Sequence, residues 1–192
     1  MINRNFFFSQ VRGSLFAGKL KQKQVDGLTA ILDEWETNYK TKDDRWLAYM
    51  LSTTHHETAA TMQPIEEYGK GKGRKYGKRI RMNGQEYTDT DKLFYGRGFV
   101  QLTWYENYEK AGKKLKQDFI MNPEKVMELA NATKIMFSGM MEGWFTGKKL
   151  PDYFNKTKED WVNARRIING LDRAAWIADY AKKYYASISY TV

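Results

Sequence analysis

Apolar residues recur at helical spacing in the first third and the last third of the chain, and the middle lacks that rhythm. Residues 6–16 are short and apolar. Residues 25–39, VDGLTAILDEWETNY, place Leu28, Ile31, Leu32 and Trp35 on one helical face. Asp43 or Asp44 then stands as an N-cap before RWLAYMLSTTHHETAATM, in which Trp46, Leu47, Met50, Leu51 and Thr54 form an inner stripe. Pro64 ends that pattern. Helical spacing returns after LFYGRGFVQLTWYENYEKAG, residues 93–112. Residues 122–144 open with Asn122 as N-cap and Pro123 at the first helical position. KEDWVNARRIING and DRAAWIADYAKKYYASI complete the helical run. The pattern predicts a mainly α domain with no internal repeat.

Residues 63–92, QPIEEYGKGKGRKYGKRIRMNGQEYTDTDK, are polar and glycine-rich. The Asn83-Gly84 pair predicts a small hairpin between KRIRM and QEYTDT. An irregular stretch of this length inside a compact domain is usually functional, so it is expected to line a cleft between helical lobes. Charge sharpens the picture: the net charge is +9. Lys70, Lys72, Arg74, Lys75, Lys78, Arg79 and Arg81 follow one another with no acid between them. Such a surface attracts polyanions. The chain has no cysteine, which excludes disulfides and thiolate metal sites and suits a reducing cytosol. No signal peptide and no membrane-spanning stretch are expected. At 192 residues, one domain over 1–192 is expected, without a separate wall-binding domain.

The only two histidines, His55 and His56, stand directly before Glu57. A helical zinc site needs H-E-x-x-H, but the second histidine position holds Ala60, so no metal is expected. GKGKGRKYG fits no phosphate-loop spacing, and no cofactor is expected. At about 100° per residue, Glu57 lies roughly 20° from both Trp46 and Met50 and continues the inner stripe. A carboxyl group in apolar surroundings holds its proton to higher pH, as a general acid must. A glycosidase also needs a second carboxylate, and Glu66 and Glu67 follow just past Pro64. In FYGRGFVQLTW, an extended backbone would put Gln101 and Thr103 on one face, as neutral hydrogen-bonding groups suited to a carbohydrate.

Three segments, AYMLSTTHHETAATMQPIEE, FYGRGFVQLTWYENYEKAG and ARRIINGLDRAAWIADYAKKYY, together resemble glycoside hydrolase family 19, the chitinase-like branch of the lysozyme superfamily, with phage endolysins as the nearer likeness. The resemblance implies a lysozyme-like, two-lobed helical fold. It implies hydrolysis of β-1,4 links in N-acetylated aminosugar polymers by single displacement with inversion. By position, Glu57 matches the general acid and Thr103 the residue that helps hold the attacking water. Gln101, Asn107 and Asn169 match sugar-binding positions, Tyr95 and Arg97 lie in the matched Y-G-R-G turn, and His56 is expected to brace the site through hydrogen bonds. His55 is left to the surface or to packing. The second carboxylate departs from the plant-type pattern, whose position is held by Arg79. Glu67 is the first choice and Glu66 the next, with Asp89 and Asp91 more remote.

The expected activity is that of an endolysin-type muramidase acting on peptidoglycan glycan strands and causing cell lysis. The cationic surface would hold such an enzyme to the anionic bacterial envelope. A monomer is expected, held in the host bacterial cytoplasm until a separate pore releases it to the wall or periplasm. The alternative is a chitinase. A more remote alternative is a non-catalytic basic module; a nucleic-acid partner is not expected, for want of a binding motif.

Overall fold

The computed structural model describes residues 1–191. Six helices carry the fold: α1 (Arg4–Leu15), α2 (Gln22–Asn38), α3 (Asp44–Glu57), α4 (Tyr105–Leu115), α5 (Leu129–Glu142) and α6 (Ala174–Ser187). The two strands are short. β1 (Ile65–Glu66) pairs antiparallel with β2 (Arg97–Gly98), with Ile65 opposite Gly98 and Glu66 opposite Arg97. The architecture is mainly α and lysozyme-like, as expected. Among the described residues no helix is long and apolar enough to cross a membrane.

Helix α3 is the centre of the molecule. Asp43 caps it, its carboxylate accepting from the Arg45 amide at 3.0 Å. Every residue from Leu47 to His55 is buried, so this is no amphipathic stripe but a helix enclosed on all sides. Helix α6 lies along it and also covers α1; α2 and α5 also contact α3, and α4 packs on α5. Each large apolar side chain buried in this way stabilises the fold by roughly 1.5–3 kcal/mol. The last residue of α3, Glu57, therefore rests on the most firmly held element of the fold.

The helix stops because the Thr58 side chain intervenes. Its hydroxyl donates to the Thr54 carbonyl at 2.7 Å and accepts from the Met62 amide at 3.1 Å. Ala59, Ala60 and Met62 then adopt left-handed backbone angles, and the chain turns toward β1. Gly27 lets α2 approach this turn: a Cβ there would lie 1.7 Å from the Met62 carbonyl oxygen. The turn after α3 is thus locked against its neighbour.

Four local expectations change. The helix expected to run on to Met62 before Pro64 ends at Glu57, where the Thr58 turn takes over. The helix expected from Asn122 divides into a 3₁₀ turn (Pro123–Met127) and α5, with Glu128 extended between them. The amide of Asn131 takes the Lys125 carbonyl and the Glu128 carboxylate, and Asn122 supplies no side-chain cap. KEDWVNARRIING forms only a 3₁₀ turn (Asn163–Ile167), because Asp160 captures both the backbone and side-chain nitrogens of Asn163. Residues 99–103 are not extended. Arg97 and Leu102 exchange two backbone hydrogen bonds of 2.8 and 3.2 Å around a tight turn, with Gln101 at φ +52°. The Asn83-Gly84 hairpin is present in minimal form, as one bridge between Ile80 and Glu86.

Candidate active site

A cleft of about 480 Å³ runs between the end of α3 and the irregular segment. Glu57, Glu67, Gln101, Thr103, Asn107 and Asn169 all line it, beside Tyr76, Trp104 and the apolar Met82, Val100, Phe145 and Ile168. Two carboxylates, four neutral hydrogen-bonding side chains and several flat apolar surfaces thus share one concavity. That mixture suits a ligand with hydroxyls and amides around apolar ring faces.

The surroundings of Glu57 differ from the apolar setting expected of it. Arg165, itself 3% exposed, places its Nη1 at 2.6 Å from Glu57 Oε1. The Nε of the same guanidinium donates to the Asp172 carbonyl at 3.2 Å. Arg165 therefore ties Glu57 to the turn that follows Asn169. The ion pair engages Oε1, and Glu57 still lines the cleft.

Glu67 is mounted otherwise. Its Oε1 accepts from the Tyr76 hydroxyl at 3.0 Å and its Oε2 from the Gly96 amide at 3.1 Å. Its own amide donates to the Gly96 carbonyl at 2.7 Å. Burial, and after it the neighbouring Glu67 carboxylate, raises the Tyr76 phenol above its ordinary pKa, so Tyr76 remains a donor. Its ring meets Trp104 edge-on, with centroids 5.9 Å apart. Tyr76 in turn belongs to a loop closed on itself: a Cβ on Gly77 would lie 1.9 Å from the Gly71 carbonyl oxygen.

Glu66 does not line the cleft. Its Oε1 accepts from the Tyr95 hydroxyl at 2.8 Å and from Arg97 Nε at 3.3 Å, and Lys70 lies 3.4 Å from Oε2. Burial alone would push this carboxyl up. The hydrogen bonds from Tyr95, Lys70 and Arg97 outweigh it and hold the group below its usual range. Tyr95 and Arg97, expected at the substrate face, instead build this cluster. The Arg97 guanidinium lies 3.7 Å over the Tyr95 ring and donates to the Leu93 carbonyl and the Tyr108 hydroxyl. Neither reaches the cleft, since the close turn around β2 directs both away from it.

His56 also lies outside the cleft. It makes ring contact with Trp176, with centroids 5.3 Å apart, rather than the bracing hydrogen bonds expected. His55 is buried, its Nδ1 2.9 Å from the Tyr184 hydroxyl. Of the remoter carboxylates, Asp89 accepts from Tyr105 at 2.6 Å and Asp91 faces Lys92; neither lines the cleft. Gln101 anchors its amide on the carbonyls of Ile65 and Gly98, and Asn107 donates to the Thr103 carbonyl at 2.9 Å.

Sequence reasoning missed Arg165, Tyr76 and Trp104. Arg165 stands in the quoted ARRIING segment, but nothing local pairs an arginine with a carboxylate 108 residues earlier. Tyr76 lies in the glycine-rich basic run, where nothing in the local sequence marks it as a partner of Glu67.

Comparison with known proteins bears on the whole arrangement. A family sequence model described as "Chitinase class I" matches residues 33–165, a span that holds both cleft carboxylates and Arg165. The chain is 32% identical over 104 residues to an acidic endochitinase of Petunia hybrida, covering 52% of this chain and 34% of that one. It is 33% identical over 117 residues to acidic endochitinase SP2 of Beta vulgaris, covering 54% and 39%. These matches thus span little more than a third of the relatives' length. In structure, chitinase C from Streptomyces griseus HUT6037 superposes with a TM-score of 0.61 at 20% identity, over 96% of this chain and 75% of that one. A family GH19, class IV chitinase from Zea mays gives 0.60 at 13% identity, over 96% and 92%. At these identities the structural likeness establishes the fold.

Proposed function

This chain belongs to glycoside hydrolase family 19, and we propose that it hydrolyses β-1,4 bonds between N-acetylated aminosugars by a single displacement in the cleft between Glu57 and Glu67. The observation that carries the reading is the two carboxylates lining one cleft on separate supports, one paired to a buried guanidinium and the other to a phenol and a backbone amide. In this reading Glu57 delivers a proton from Oε2 to the glycosidic oxygen while Arg165 holds Oε1. Glu67 takes a proton from water, and that water attacks the anomeric carbon from the opposite face. The Thr103 hydroxyl orients the water. Gln101, Asn107 and Asn169 bind hydroxyl and acetamido groups, and Trp104 offers a ring face to a pyranose.

Chitin stands first as substrate. The relatives are named endochitinases, and the cleft itself is lined by neutral groups apart from its two carboxylates. Peptidoglycan, the first expectation from sequence, becomes the second reading. One observation favours it: cleft-lining Tyr76 and Met82 stand in sequence beside Lys75, Lys78 and Arg81, and the cations of residues 70–79 are exposed. Peptidoglycan carries carboxylates that such cations would attract.

The test is turnover of a soluble N-acetylglucosamine hexamer and of purified peptidoglycan, with early products read by proton NMR and mass spectrometry. Chitin-type activity predicts cleavage of the hexamer with the α-anomer appearing first. Release of muropeptides without hexamer cleavage would move the assignment to peptidoglycan. A β-anomer as first product would refute single displacement.

A further inference from the structure

Helix α6 presents an aromatic surface that neither the core nor the cleft accounts for. Trp176 is 43% exposed, and its ring lies against Tyr180 at 4.5 Å between centroids. Trp46, Trp144 and Trp161 each direct Nε1 to a protein acceptor. Among the described residues, Trp176 has no such partner; Trp104 in the cleft and the fully buried Trp35 also lack one, but of these three Trp176 alone is exposed. Exposed Leu171 lies near it in sequence, and exposed Asp172, Arg173 and Asp179 supply a polar rim.

This surface is continuous with the acid end of the cleft in two ways. Trp176 rests on His56, whose ring stands at 77° to the indole, and the next residue is Glu57. The turn from Asn169, which lines the cleft, to the start of α6 is held to Arg165 through the Asp172 carbonyl, and Arg165 also holds Glu57. His56 thus acts as a rigid prop for an indole. Propping an indole so that nearly half of it meets water costs apolar exposure, which a flat apolar ligand would recover.

We propose that Trp176 and Tyr180 form a stacking platform for a pyranose ring of the same aminosugar strand, outside the cleft and beyond its acid end. The axial C–H face of a β-linked aminosugar is apolar and flat and matches the indole, while its hydroxyl and acetamido groups meet the polar rim. The platform holds a long polymer that the cleft alone would grip only in part. The inference rests on the aminosugar reading of the cleft.

The test uses the full chain carrying Glu57→Gln, so that ligands survive, titrated with N-acetylglucosamine oligomers of increasing length and with insoluble chitin. Affinity is expected to rise with length, and adding Trp176→Ala should weaken only the longer oligomers, by about tenfold. Trp176→Phe should restore part of that loss. In the protein without the Trp176 change, the Trp176 indole N–H resonance should shift with long oligomers and stay still with short ones. Equal affinities at every length with and without Trp176, or an unmoved Trp176 resonance while that of Trp104 shifts, would overturn the platform and leave the cleft reading intact. Failure to bind any aminosugar oligomer or polymer would overturn both.

Discussion

Glu57 and Glu67 face the same cleft from opposite kinds of support. Glu57 ends a helix whose preceding turns are wholly buried, and it is gripped by an arginine that is itself 3% exposed. Glu67 sits just past a two-residue strand and is held by one phenol and one amide from irregular backbone. The mount of Glu57 is inseparable from the core that folds the protein. The mount of Glu67 is a surface loop whose outer residues are exposed. A change near Glu57 therefore disturbs stability and chemistry together, and a change near Glu67 disturbs chemistry with little effect on stability.

The largest effect expected is on turnover. Glu57→Gln and Glu67→Gln should each lower kcat by about 10²–10⁴-fold, the range for loss of a general acid or base. Glu66→Gln should leave kcat within a few-fold of wild type, since Glu66 lies outside the cleft. If Glu66→Gln were as damaging as Glu67→Gln, the contrast drawn between the two glutamates would fail. Steady-state kinetics on a soluble oligomer gives the answer.

Next comes Arg165→Met. Breaking a buried ion pair typically costs about 3–5 kcal/mol, and the lower end applies here because Glu57 reaches the cleft. Thermal unfolding should show that loss, whereas Tyr76→Phe on the other mount should not. Combining Arg165→Met with Glu57→Gln should recover part of the stability, since the unpaired carboxylate is then gone. A simple sum of the two losses would mean that the pair is not coupled.

His55 sharpens the contrast through pH. Burial, and secondarily the neighbouring His56, pushes its pKa down to about 4, below the ordinary 6.5. The folded state therefore keeps it neutral where the unfolded chain would protonate it. That contribution is complete above pH 6.5 and is lost as pH falls from about 6.5 toward 4, on the order of 3 kcal/mol in all. Denaturant melts across this range should flatten in His55→Gln relative to wild type. A parallel pair of curves would remove His55 from the account of acid sensitivity.

The smallest effect expected is that of Tyr76→Phe, which deletes one hydrogen bond to Glu67. A charge-assisted bond is worth about 1.5–3 kcal/mol, so kcat should fall by roughly 10- to 100-fold, with a shift in Tm of at most a few degrees. A large fall in Tm instead would show that the base's loop is a structural element after all.

What was legible in the sequence follows the same division. A cap at Asp43 or Asp44 rests on chemistry within a few residues and was readable, but the end of α3 was not: the helical pattern runs on toward Pro64, while the left-handed turn after Thr58 stops the helix at Glu57. The presence of Glu57 and Glu67 near one another was readable, because Pro64 marks the turn between them. The grip of Arg165 was not readable, since 108 residues separate it from Glu57. The turn at Gln101 was hidden because a non-glycine residue takes the left-handed angle there, and glycine is the usual signal for it. The division of Glu66 from Glu67 was also hidden. Glu66 ends β1 opposite Arg97 while Glu67 lies just past the strand on the Gly96 backbone, and only the pairing with β2 decides which of the two meets the cleft.

The contact of Gly71 with Gly77 has a bearing on how this protein can change. It closes the loop with backbone alone, so the lysines and arginines on its rim are not needed to hold its shape. Lineages or engineers can thus re-dial the charge at the mouth of the cleft, from cationic toward neutral, while Tyr76 keeps its hold on Glu67. Substrate preference and catalytic geometry then become separately heritable traits, divided by two residues that have no side chains.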